Sequence, residues 1–474
     1  MWWMAALAHG ASVTVSPGDD VGVVTSSLLA GDTVTFTAGT FELEGTVTWE
    51  GLGESANPIR IVGAPDGGTV LRSSGGGYVA RVVNSAYVDV SDIIFEGVDP
   101  EKTNHLGFQV ADSTNVTVTN CVMRNVRNSG LRIEGDTNNI RIALNEVGPV
   151  QDGGGIVVGC PDGGCWMQDS LVENNLVHDV GNTGLLFYPG TQAVEIFDNV
   201  VFRAGADGLI LPDTQFGEQN VARGNAIWQI EDDGIDVYGP ALVQNNVIFE
   251  TGDEGIFAHD EGDTLFDVQI SHNTVARTNG YGAFLRDWFD REGLVFANNV
   301  LSNSTGRSLL YDDPRSEPDF YKKYGKDLPP DTTNFISNNV VTGLIEGFDV
   351  IVRPDFVIEG GGVADFMDID NFDFYLSPGS RARDAGTPLG EAYIPIEDFN
   401  RVARDGASPD AGAYEWVGSA NTGWIIAETF KDTAPARPPG TALGGCCNNN
   451  DDGSRAWMLT PLLFLAVLRR RRAR

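Results

Sequence analysis

The chain has 474 residues, of which 42% are hydrophobic, 20% charged and 58 are glycine. That length allows about three ordinary domains, but so much glycine and so little charge argue against a protein built of surface helices. Acid outnumbers base by 66 to 31, a net charge of −35; such a surface repels phosphate and anionic lipid, so no nucleic-acid partner is expected.

Residues 1–11 read as the remnant of a signal peptide, with Ala6-Leu7-Ala8 as a small-x-small cleavage site and Ala11 as a second candidate. Beyond them the chain repeats. The run Val-Gln-Asn-Asn-Val-Ile-Phe at 243–249 recurs in altered form at 116–122, 172–177, 196–202, 270–275, 296–301 and 336–341. One asparagine falls at a fixed place in each repeat: Asn120, Asn145, Asn175, Asn199, Asn225, Asn246, Asn273, Asn299 and Asn339. These are 21 to 30 residues apart until a 40-residue step to the last. A glycine follows nine or ten residues later (Gly130, Gly155, Gly184, Gly208, Gly234, Gly255, Gly282), then a three-residue apolar strand.

Short strands between turns, repeated every ~20–30 residues, make one coil of a β-solenoid. Helical repeats are longer and need a 3.6-residue period, which is absent. The asparagines are expected to stack as a ladder of amides. The glycines are expected to supply a backbone geometry that other residues resist. Cys121, in an apolar run, reads as a buried thiol. Cys160 and Cys165 flank a loop short enough to close as a disulfide, which fits an exported protein.

This pattern resembles the right-handed parallel β-helix of secreted polysaccharide lyases, pectin-cleaving hydrolases and alginate epimerases. Ala30-Gly31-Asp32-Thr33-Val34, Ala38-Gly39-Thr40-Phe41 and Asn57-Pro58-Ile59-Arg60-Ile61 look like the entry of alginate-lyase and chondroitinase-B-like chains. Phe374-Tyr375-Leu376-Ser377-Pro378-Gly379-Ser380 and Asp410-Ala411-Gly412-Ala413-Tyr414-Glu415 look like the closing coil of bacterial β-helix proteins. The resemblance implies an all-β fold, a single right-handed parallel β-helix over 12–417.

Side chains alternate along a strand. Counted from each glycine, the outward rows read Leu186/Tyr188, Ile210/Pro212, Asp236/Tyr238, Phe257/His259 and Phe284/Arg286. Either a loop covers these apolar residues or they form a ligand-binding face; Tyr188 and Tyr238 fit stacking on sugar rings or packing under that loop. Acids precede successive glycines: Asp207, Asp232-Asp233 and Asp253-Glu254. Asp207 reads as turn chemistry. Asp233, Asp236 and Glu254 are the acid/base candidates, since carboxylates on neighbouring coils can be driven apart in pKa.

Asp232-Asp233-Gly234-Ile235-Asp236 partly resembles the Asn-Thr-Asp-Gly-x-Asp motif of polygalacturonase-type hydrolases, but His259 lacks flanking glycines and Arg286-Asp287-Trp288 lacks the lysine of Arg-x-Lys. No Asn-x-Lys supplies the basic lysine of a lyase. In elimination His259 would take the proton and Arg286 would neutralise the substrate carboxylate.

Acidic loops at Asp260-Glu261-Gly262-Asp263, Asp287 with Asp290, and Asp312-Asp313 offer hard oxygens suited to Ca²⁺, though no calcium-loop motif is complete. An insertion at 312–333 holds three of the five lysines, Lys322, Lys323 and Lys326, and reads as a lid giving local positive charge for an anionic sugar.

Residues 418–443 read as a linker. The end, 444–474, has Gly445-Cys446-Cys447, a polar spacer, an apolar stretch and Arg469-Arg470-Arg471-Arg472. It resembles the MYXO-CTERM sorting tails of myxobacteria, which implies export, processing near Cys446 or Cys447, tail contact with membrane or sorting machinery, and surface retention. The expected protein is a monomer acting on an acidic polysaccharide by hydrolysis or β-elimination; the alternative is a non-catalytic glycan-binding or adhesin-like surface protein.

Overall fold

The computed structural model describes residues 10–432 except 66, 100–104, 215–217, 261–264, 290, 292, 312–333, 348–355, 390–394 and 419. Residues 1–9 of the expected signal remnant at 1–11, Lys322 and Lys323 in the 312–333 insertion, and the tail with Cys446 and Cys447 lie outside the described residues.

The chain winds as a right-handed parallel β-solenoid with almost no helix. Three sheets run its length. The first takes one strand per coil from Ser12–Val15 to Phe335–Ser337. The second takes the strand after the asparagine, such as Val200–Ala204, Ala226–Ile230 and Val247–Thr251. The third takes the strand after the glycine, such as Leu209–Leu211, Ile235–Val237 and Ile256–Ala258. Val300–Tyr311 turns the corner between the last two and pairs with strands of both. A helix, Val21–Thr25, is capped by Asp20 and packs on Trp49.

Register is continuous. Val118, Ile142, Val172, Ile196, Ala222, Val243, Ile270, Phe296 and Ile336 stand in one inward row of the first sheet. Each turn thus adds one layer to an interior that no single coil could close.

The asparagine ladder runs from Asn145 to Asn339. Each Nδ2 donates to the next Oδ1 at 2.9–3.0 Å. It also donates to a first-sheet carbonyl of the preceding coil, as in Asn246 Nδ2 to Ala222 O at 3.0 Å. Each Oδ1 further accepts the backbone N–H of the asparagine before it, as in Asn225 N to Asn246 Oδ1 at 3.0 Å. Asn120 does not belong to this ladder. Register aligns Val118, not Val116, with the other repeats, so Cys121 holds the ladder place and its N–H donates to Asn145 Oδ1 at 3.0 Å. Asn120 occupies the preceding position, which is left-handed in successive coils (Asn120, Leu144, Asn174, Asp198, Gly224, Asn245, His272, Asn298, Asn338; φ +50° to +69°).

The recurring glycines differ from expectation too. None lies in the left-handed region. A Cβ on Gly208, Gly234 or Gly255 would stand 2.2–2.4 Å from the branched side chain of Ile227, Ile248 or Val275, and 2.5–2.6 Å from the next coil's carbonyl. They are glycines because the second sheet's inward residues fill the corner.

The C-terminal boundary also shifts. After Val357–Glu359 the chain leaves the solenoid and lies over the outer side of the second sheet. There His178, Phe202, Trp228 and Phe249 stack at 4.7–5.6 Å, and Phe372 and Phe374 come within 4.8 Å of Phe249. The expected linker at 418–443 begins inside this strap: Ile426 is buried, and Lys431 Nζ donates to Asp198 Oδ1 at 2.6 Å and Gly224 O at 2.8 Å. Composition alone could not show that a polar segment so far along the chain finds a buried acid.

Asn246→Ala strands partners on both neighbouring coils and should cost about 3 kcal/mol or more of unfolding free energy in urea. Asn120→Gly, at an exposed left-handed position, should stay within about 0.5 kcal/mol. Equal costs would contradict the ladder as drawn.

Candidate active site

The narrow corner between the second and third sheets sets the site. The residue before its glycine is, coil by coil, Thr183, Asp207, Asp233, Glu254 and Tyr281. Three acids therefore stack with coil-to-coil spacing, and Asp232 and Asp253 stand one residue earlier. Carboxylate oxygens of Asp207, Asp232 and Asp233 lie within 4.8 Å of one another, and so do those of Asp233, Asp253 and Glu254. Asp233 joins the two groups; its Oδ1 accepts the Glu254 N–H at 2.8 Å. Thr183 Oγ1 reaches Asp207 Oδ2 at 3.4 Å.

Burial and mutual repulsion hold these groups above the usual carboxylate range. Asp207 is pushed up to about 6, first by burial and then by the charges of Asp236 and Asp232. Asp233 is raised by burial and by Glu254; Glu254 by burial and by Asp253. Asp232 rises less, through burial with Asp253 and Asp236.

The outward row is in register: Leu186, Ile210, Asp236, Phe257, Phe284 and Leu310. Asp236 is outward yet only 5% exposed, flanked by Ile210 and Phe257. Its Oδ1 accepts no hydrogen bond of good geometry, although His259 Nε2 lies 3.2 Å away. His259 is itself buried, stacked on Phe257 at 4.0 Å and tilted against Tyr238 at 4.4 Å. Asp233, Asp236, Glu254, His259 and Tyr238 thus share one face over neighbouring coils. Tyr188 lies farther toward the N-terminal coils and is half-buried.

Arg286 is more loosely placed. Its side chain is 54% exposed, with Nε 3.8 Å from Asp287 Oδ2. Of the expected calcium loop at 260–263, Asp260 pairs with Arg291 and accepts the Leu265 N–H; residues 261–263, Asp290 and Asp312-Asp313 lie outside the described residues. A divalent cation also fits the corner. The donors there are hard oxygens, as Ca²⁺ prefers, and the unbonded Asp236 Oδ1 is buried beside them. Asp207, set aside from sequence as turn chemistry, belongs to this cluster. The available signal was its row: three acids in succession among neutral residues at one offset from the ladder. Elsewhere, Cys160 and Cys165 form a disulfide with Cα atoms 5.3 Å apart, and Cys121 is a buried thiol pushed up to about 12.

The family model described as right handed beta helix region matches residues 78–241 and 212–322, together more than half of the chain. No curated protein sequence matches. Among solved structures, the A-module of a mannuronan C-5 epimerase from Azotobacter vinelandii aligns with a TM-score of 0.53 at 15% identity, over 72% of this chain and 94% of that one. A mutant of the PL6 family alginate lyase AlyGC gives 0.50 at 15% identity, over 81% and 58%. An alginate lyase from a Paenibacillus species gives 0.45 at 15%, over 57% and 95%. At these identities the likeness is one of fold.

A carboxyl raised by folding binds its proton more tightly in the folded chain, so stability falls as pH climbs from the unfolded value of ~4 through the folded one. In cation-free buffer, Asp233→Asn should therefore gain on the wild type in urea midpoint between about pH 5 and about pH 8. A gap that stays constant or shrinks would contradict the crowding of Asp233.

Proposed function

Because the chain belongs to the right handed β-helix family, we propose that it is a polysaccharide lyase whose third sheet binds an acidic, uronate-containing polysaccharide and breaks it by β-elimination. The observation that carries this reading is the buried Asp236–His259 pair, 3.2 Å apart, beside five crowded carboxylates. Hydrolysis is the second reading, with Asp233 and Glu254, which offer oxygens within 4.8 Å of each other, as its acid/base pair. Carboxylates that near suit a shared cation.

His259 Nε2 faces Asp236, which leaves Nδ1 to take the proton next to the sugar carboxylate; the nearby Asp236 charge stabilises the imidazolium that forms. The released electron pair forms the carbon–carbon double bond, the bond to the departing sugar oxygen breaks, and that oxygen takes a proton from solvent. The exposed Arg286 guanidinium, only loosely paired with Asp287, would meet a substrate carboxylate. Ca²⁺ held by Asp207, Asp232 and Asp233 would supply the positive charge that a polyanion needs in so acidic a corner. Tyr238 offers a ring for stacking.

Export belongs to the same proposal: a disulfide persists in an oxidising compartment, and the 444–474 tail would retain a monomeric protein at the cell surface after processing at Cys446 or Cys447. Fractionation with surface protease checks this; a full-length cytoplasmic chain contradicts it.

Incubation with pectate, alginate and glycosaminoglycans should yield new reducing ends together with absorbance from unsaturated products. Asp236→Asn and His259→Ala should each lower turnover at least about 100-fold. EDTA should stop turnover, and added Ca²⁺ should raise the thermal midpoint of the wild type but not of Asp233→Asn. Ends without absorbance would mean hydrolysis, and binding without either would mean an adhesin.

A further inference from the structure

The disulfide loop carries an aromatic residue in an unusual state. Trp166 is 54% exposed, while the residues on either side, Cys165 and Met167, are 3% and 1% exposed. Alternation with two buried neighbours keeps the indole from turning inward. The loop beneath it is clamped: Cys160 is bonded to Cys165, Gly163 N donates to Cys160 O at 2.9 Å, Thr137 N to Trp166 O at 2.7 Å, and Met167 N to Gly190 O at 3.2 Å. A six-residue loop so tied presents the indole that follows it at little entropic cost on binding.

The position matters as much as the rigidity. Gly159, where the loop begins, lies against Tyr188, since a Cβ there would stand 3.1 Å from the Tyr188 Cβ. Gly190 abuts Cys165 in the same way, and Met167 bridges to Thr191. Gly159 is therefore the register partner of Tyr188, and Trp166, at the other end of the loop, stands beside Gly190 one coil before the turn 188–191, at the corner where the third sheet ends and the first begins. Tyr188, Pro212, Tyr238 and His259 follow there on consecutive coils. From His259 back to Trp166 is four rungs, roughly 19 Å at ~4.8 Å each.

We propose that Trp166 is a distal sugar-stacking platform, the far end of a binding path for a carbohydrate polymer that runs along this edge of the third sheet from the Asp236–His259 pair. The inference rests on the lyase reading above and adds the direction of the chain and the length it must have. Tryptophan offers a wide apolar face to the C–H face of a sugar ring and an N–H to its hydroxyls. A sugar unit is about as long as one rung is high, so an oligomer of three units at the reactive pair falls short of Trp166, while one of eight reaches it.

Calorimetric titration and initial rates with size-defined alginate and polygalacturonate oligomers of three and eight units test this. Trp166→Ala should weaken octamer binding about three- to tenfold and leave the trimer unchanged, with kcat unaltered. Trp166→Phe should recover part of the loss. Asp236→Asn should instead lower turnover of both lengths alike. Octamer binding equal in wild type and Trp166→Ala overturns the platform while leaving the lyase reading standing. Equal losses on trimer and octamer overturn it as well, because they would mark the loop as structural support. A wild type that binds neither oligomer series removes the reading and the platform together.

Discussion

One buried amide per coil governs this molecule. From Asn145 to Asn339 each side chain bonds the next amide, the preceding coil's carbonyl and a backbone N–H, so a slip of one residue would leave several buried polar groups unpaired at once. That penalty fixes register, and register turns sequence offset into spatial row. Eight residues after Asn175, Asn199, Asn225, Asn246 and Asn273 stand Thr183, Asp207, Asp233, Glu254 and Tyr281. The carboxylate corner exists because three acids share that offset on adjacent coils.

The glycine that follows makes the corner tight enough to matter. With Ile227, Ile248 and Val275 filling the space where a Cβ would go, the chain turns sharply and brings the acids close to the third sheet. Burial then acts with like-charge repulsion to raise Asp207, Asp233 and Glu254. A wider turn would let water screen the same charges. The glycine requirement is thus one of packing volume.

Periodicity made much of this legible. The ladder, the inward rows and the outward row of Ile210, Asp236, Phe257 and Phe284 all follow from counting, because a solenoid repeats its local geometry. Counting failed where a residue substitutes within a row. Cys121 takes an asparagine place, and the neighbouring Asn120 imitates it, since the left-handed position beside the ladder also favours asparagine. Asp207 looked like a turn residue because acid before glycine is common in turns; only its stacking distinguishes it. The strap was illegible for another reason. Its contacts join residues more than two hundred positions apart, as in Lys431 with Asp198, and no local pattern announces such a pair.

The strap also explains why one apolar face is covered and another remains half-open. Both the second and third sheets carry outward aromatic residues, Phe202, Trp228 and Phe249 on one and Phe257 and Phe284 on the other. Hydrophobic contact is non-directional and does not choose between them. The choice is made by polar groups at the edge of the second sheet. Asp198 receives both Arg401 and Lys431, and Asn245 receives the wholly buried Arg404, which also donates to Gly412 O at 2.7 Å. Such buried pairs add little net stability over an apolar substitute, but a strap in any other place would leave them unpaired. Positional specificity is their contribution, and it leaves the third sheet, with its acids and its imidazole, as the face on which a ligand can lie.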